Sequence, residues 1–178
     1  SETLPWHGLA MSADGTRLVA TTSFQEPVRV SSDAGLTWTL RGPHLFWKSA
    51  LASSADGRLL VASAPISLVH SDDFGETWTE RTGLPFETTV SLASSPNGSI
   101  LAAGAVGGLF TSYDGGATWS RRVGSGSLET FWNDVVSSAD GSVLAALGPG
   151  PTGGLQIHTS VAAMPRLTYS PPSNAFGT

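Results

Sequence analysis

The chain has 178 residues, enough for one domain with a sizeable core. Only 13% of its residues are charged, against 21 glycines and 11 prolines, a mix that suits a turn-rich all-β protein and argues against a helical one. A net charge of −5, with Lys48 as the single lysine, argues against a nucleic-acid partner, and the absence of cysteine excludes a disulfide frame, a thiolate metal site and a thiol nucleophile.

In chain order, the predicted strands of the first unit lie at about Leu9–Ser12, Arg17–Thr21, Val28–Ser31 and Thr37–Leu40. The second unit has Ser49–Ser53, Leu59–Ser63, Leu68–Ser71 and Thr77–Glu80, and the third has Val90–Ser94, Ser99–Ala103, Leu109–Ser112 and Thr118–Arg121. The fourth has Asp134–Ser137, Val143–Leu147, Leu155–His158 and Arg166–Tyr169. Two turn motifs alternate between these strands. SADG, SADG, SPNG and SADG end at Gly15, Gly57, Gly98 and Gly141, at steps of 42, 41 and 43 residues. Each joins two apolar runs, as a hairpin turn does. SSDAGLTW, SDDFGETW and SYDGGATW run from Ser31, Ser71 and Ser112, and all obey S-x-D-x-G-x-T-W. Their aspartates Asp33, Asp73 and Asp114 are 40 and 41 residues apart.

A four-stranded antiparallel unit recurring every ~40 residues predicts β-propeller blades. The expected architecture is all-β, with four blades at about 6–41, 47–82, 88–123 and 132–170, and a tail at 171–178. No apolar run is long enough to span a bilayer and no signal peptide is visible. The chain begins at Ser1 and not at Met, which leaves room for an upstream segment.

The octet resembles the Asp-box, or BNR repeat, of sialidases, several other glycoside hydrolases, sortilin-type receptor domains and photosystem assembly factors. The resemblance covers about Trp6 to Tyr169 and is specific for a type of blade, not for an activity. It implies that each box turns between the third and fourth strands of a blade, on the face opposite the usual binding site. It also implies a secreted or extracytoplasmic setting. In each box the aspartate is expected to accept backbone N–H bonds. Gly35, Gly75 and Gly116 are expected to hold a backbone shape that disfavours a Cβ, and Trp38, Trp78 and Trp119 to pack beside the blades. One acid per box is a poor hard-cation cage, so neither a metal nor a cofactor is expected. The fourth unit lacks the D-x-G core, as a terminal repeat can. Asp-box propellers usually have six or more blades. Four blades therefore leave three alternatives: a narrow ring, half of a larger ring completed by a homodimer, or a piece of a longer protein.

If the boxes mark the bottom, function belongs to the loops at the other end. Those loops carry the candidate ligand-binding residues Trp6, His7, His44, Trp47, Phe86 and Trp132, a set suited to a carbohydrate or a peptide segment. The same aromatics could instead pack between blades. Sialidase chemistry is disfavoured. Tyr113 sits inside a box and Tyr169 in the degenerate unit, while the arginines follow bottom turns or outer strands. A glycoside hydrolase needs only two carboxylates, for which Glu26, Glu87, Glu129 and Asp134 are the candidates. Asp134 stands out because Gly8, Ala50 and Ser91 hold its place in the other units. The expectation is a non-catalytic binding or scaffolding propeller, with a glycoside hydrolase or lyase as the alternative.

Overall fold

The computed structural model describes residues 4–22, 26–45, 49–85, 88–122, 132–138, 140, 142–149 and 154–161. They form fifteen strands in four antiparallel sheets, each a meander in chain order. Blade 1 contains β1 (Trp6–Met11), β2 (Leu18–Thr22), β3 (Glu26–Ser31) and β4 (Thr39–Leu45). Blade 2 contains β5 (Leu51–Ser53), β6 (Leu60–Ser63), β7 (Leu68–Ser71) and β8 (Thr79–Arg81). Blade 3 contains β9 (Thr89–Ser94), β10 (Leu101–Ala105), β11 (Gly108–Ser112) and β12 (Ser120–Arg122). Blade 4 contains β13 (Asp134–Ser137), β14 (Val143–Pro149) and β15 (Leu155–Val161). The fourth strand expected at Arg166–Tyr169, and the tail, lie outside the described residues.

The fourth strand of blades 1 to 3 begins two residues later than the sequence pattern predicts, at Thr39, Thr79 and Ser120. The preceding Thr and Trp belong to the turn. Thr37, Thr77 and Thr118 each give their backbone N–H to the box aspartate, so they are not free to start a ladder. The largest extension beyond expectation is β4, which runs on to Leu45 past a bulge between Pro27 and Arg29 of its partner.

In blades 2 and 3 the second and third strands are buried on both faces, so their residues are nearly all apolar or small. Along β6, for example, Leu60, Val61, Ala62 and Ser63 are all buried. Successive side chains point to opposite faces, and the two faces join two different cores. Leu60, Ala62 and Val69 of blade 2 pack with Val19, Val28, Val30 and Leu45 of blade 1. Ala52, Val61 and Leu68, on the other face, pack with Leu92, Leu101, Ala103 and Phe110 of blade 3. Ala102 and Leu109 continue the series onto Trp132, Val135, Leu144 and Ala146 of blade 4. The cores therefore lie between blades, not within them.

The first strands β1, β5, β9 and β13 pack one against the next in chain order. Among the described residues no comparable packing leads from β13 back to β1. The described blades thus make an arc with a free face at each end.

Candidate functional site

The turns at one end of the blades form a hydrogen-bonded lattice. In each box the serine hydroxyl donates to the aspartate Oδ1 at 2.7–2.8 Å and accepts the glycine N–H at 2.8–2.9 Å. The threonine N–H donates to Oδ1 at 2.8–2.9 Å and its hydroxyl to Oδ2 at 2.5 Å. The tryptophan Nε1–H donates to the glycine carbonyl at 3.1 Å. Both carboxylate oxygens are therefore occupied by donors of the box itself. The threonine hydroxyls, then the threonine amides and the serine hydroxyls, hold Asp33 and Asp73 at about 2, below the ordinary 3.8. The same kinds of donor hold Asp114 well below the usual range.

The D/N-G turns follow a parallel rule. Ser12 donates to Asp14 at 2.6 Å and accepts the Arg17 N–H at 3.0 Å. Ser54, Ser95 and Ser138 repeat this pattern with Asp56, Asn97 and Asp140. Backbone bonds then tie the turns together. The Ala13 N–H donates to the Ala55 carbonyl and the Ala55 N–H to the Pro96 carbonyl, each one blade further on. Ala34, Phe74 and Gly115 donate to Thr16, Arg58 and Ser99, linking each box to the first turn of its own blade. This end of the array is committed to structure.

A groove of about 660 Å³ opens between blades 1 and 2. It runs from the loop Ala64–Ser67, at the end opposite the boxes, past β8 to Glu76 and Trp78. The extra length of β4, Gly42 to Leu45, forms its other wall. That wall depends on Gly42, which has a φ of 80°. A Cβ on it would lie 2.5 Å from the Trp78 indole nitrogen, so only glycine lets the strand run across that ring. Pro43, Leu45, Pro65, Ile66 and Val69 make the lining chiefly apolar, with His44 exposed on it. Its two carboxylates are engaged: Glu80 accepts from the Ser67 hydroxyl at 2.7 Å, and Glu76 pairs with Arg41 across the two blades. Among the described residues no three His, Asp or Glu side chains converge as metal ligands.

The BNR/Asp-box repeat model matches residues 69–80 and 110–121, the second and third boxes with the strands that flank them. No curated relative matches the chain. Among solved structures, a GH74 enzyme of Niastella koreensis is similar over 96% of this chain, at 19% identity and a TM-score of 0.73. The β-propeller domain of Myceliophteria thermophila Cps50 (Swd1) is similar over 95%, at 14% identity and a TM-score of 0.71. A chain of a nidogen/laminin complex is similar over 91%, at 15% identity and a TM-score of 0.72. The chain carries BNR/Asp-box repeats on β-propeller blades. It spans 30%, 56% and 62% of the lengths of those three chains, and identities this low establish the fold alone.

The Asp-box blades scatter the predicted site residues. His44 lies on the groove wall. Trp6 and His7 are exposed on β1. The Trp6 ring lies 6.0 Å from that of Trp38, and the Arg29 guanidinium 5.8 Å from Trp6. With Leu9 and Leu36 they line a hollow of about 600 Å³ on the free face of blade 1. Trp132 is only 3% exposed and packs in the core between blades 3 and 4, beside His158 at 4.8 Å and against Gly104 and Gly148. Glu26 pairs with Arg29 at 3.2 Å. Asp134 accepts from the Ser91 hydroxyl and its own neighbour's Val135 N–H, both at 2.9 Å. Trp47, Phe86, Glu87 and Glu129 lie outside the described residues. Sequence reasoning passed over Pro43, Ile66 and Glu80. A large aliphatic residue inside the short loop SAPIS is the signal that could have found Ile66.

Proposed function

We propose that these blades act as a non-catalytic binding or scaffolding module whose ligand lies in the groove between blades 1 and 2. The observation that supports this is the character of the groove: apolar walls, an exposed isoleucine at its mouth, and carboxylates already paired within the protein. Ile66 is 75% exposed and shares the groove lining with Pro43, Leu45 and Pro65, an apolar surface of several residues and not a lone one. Proline-rich apolar walls suit an extended peptide segment, and the exposed His44 on the wall would equally meet a carbohydrate ring. A secreted or extracytoplasmic setting accords with either ligand.

The test is a peptide array and a glycan array probed with the wild-type chain and with Ile66→Arg. The expected outcome is a hit that Ile66→Arg weakens at least tenfold while the circular dichroism spectrum is unchanged. Absence of any hit, or hits indifferent to both Ile66→Arg and His44→Ala, would count against the groove.

The second reading is glycoside hydrolysis, which the GH74 enzymes among the structural neighbours keep in view. Asp134 is its acid, since it breaks the repeat. Release of sugar from β-glucans that Asp134→Asn abolishes would favour this reading over binding.

A further inference from the structure

The strand registers align the blades residue by residue. Leu9, Leu51, Leu92 and Val135 occupy one position, paired with Ala20, Ala62, Ala103 and Ala146. This position looks toward the preceding blade, and from blade 2 onward it is packed there. Among the described residues no blade precedes Leu9, which is 64% exposed. The opposite face tells the same story at the other end. Ala10, Ala52, Ala93 and Val136 are equivalent, and so are Val28, Leu68, Leu109 and Ile157. Val28, Leu68 and Leu109 are each 1% exposed, whereas Ile157 is 66% and Val136 55% exposed. The free faces of blades 1 and 4 are thus the two halves of an interface that the molecule already forms three times.

We propose that a second copy of this chain supplies the missing contact, blade 4 of each copy seating on blade 1 of the other to close a ring of eight blades. Three features support this occupant. The four blades span only 30%, 56% and 62% of the similar chains they overlay on, so blades from outside them are needed to close a ring. The one charge in the blade 1 hollow, Arg29, is neutralised within its own blade by Glu26, so covering it strands no ion. Polar groups also match. Between blades 3 and 4 the Ser91 hydroxyl accepts the Val135 N–H at 3.1 Å. Asp134 holds the Ser91 position and Leu9 the Val135 position, which places the Asp134 carboxylate to accept the Leu9 N–H of the second copy. A heterologous contact of this kind closes only if its rotation fits, which for two copies requires each arc to span half a turn.

Light scattering on the purified chain tests the proposal. The expected mass is twice the 18.3 kDa of one chain. Leu9→Arg alone and Val136→Arg alone should each give monomers, because either change damages both contacts. Mixing the two variants should restore some dimer, since one of the two contacts is then wild-type on both sides. Asp134→Ala should weaken dimerisation roughly tenfold, as loss of a charge-assisted hydrogen bond does. Both arginine positions are exposed in the single chain, so the folded spectrum should be kept. A monomer at tens of micromolar would overturn the proposal. So would a dimer that survives both arginine variants, a dimer lost with only one of them, or an assembly larger than two copies.

Discussion

Each box asks two consecutive residues to adopt left-handed backbone. Ala34 and Gly35 have φ of 58° and 84°, Phe74 and Gly75 64° and 85°, Gly115 and Gly116 66° and 88°. The second residue is glycine in all three, and at Gly75 its surroundings, as well as its φ, exclude a side chain. A Cβ on Gly75 would lie 2.8 Å from Val30 of the neighbouring blade. Gly15 has a similar φ of 71° but nothing within 4 Å of a Cβ. Gly15→Ala should therefore cost about 1 kcal/mol, the price of left-handed backbone alone. Gly75→Ala should cost about 2–4 kcal/mol, because overpacking adds to it. Paired urea melts would show the difference. The depressed aspartates give a second prediction. A carboxylate whose folded pKa lies below its unfolded value stabilises the fold above the unfolded value, and loses that contribution as pH falls through the folded one. Asp14, Asp33, Asp73 and Asp140 all sit at about 2 against 3.8. Stability should hold from neutral pH down to about 4 and then fall steadily toward pH 2, as thermal melts across that range would report. Asp33→Asn and Asp73→Asn should flatten the fall.

At the level of the element, the inner strands are set by short apolar runs between recurring turn motifs, so blade existence and order were readable from the chain. The positions of strand ends were less so. Thr37 and Trp38 look like strand residues by type, yet the box aspartate captures the threonine amide, and that capture is tertiary chemistry invisible to a propensity argument. The groove escaped for a similar reason. Its wall exists because β4 continues to Leu45, which requires Gly42 to pass over Trp78 of the next blade. Nothing in the sequence RGPHL announces that neighbour. Trp132 shows the opposite limit, since its place among loop aromatics suggested a ligand and its bed of Gly104 and Gly148 makes it core. Trp78 itself was legible as a packing residue. Trp78→Ala should cost about 2–3 kcal/mol through the packing lost between blades 1 and 2, and calorimetry should place that loss in the main transition.

On the scale of the whole molecule, each core is shared by two blades, so no blade can bury its apolar surface alone. Stability then resembles a chain of nearest-neighbour terms, as in other repeat proteins. Among the described residues of a single chain the end blades are the weak members, having one covered face where the inner blades have two. The backbone bonds at the box end bear on how such an array comes apart. Ala13 N–H crosses to blade 2 and Ala55 N–H crosses to blade 3, while neither serves a ladder inside its own sheet. Each amide is closed to solvent only while its two blades stay together. Deuterium uptake at Ala13 therefore clocks the parting of blades 1 and 2, and at Ala55 the parting of blades 2 and 3. The rail of turns is, in this sense, a pair of gauges set in the seams, able to tell fraying from one end apart from collapse of the whole arc at once.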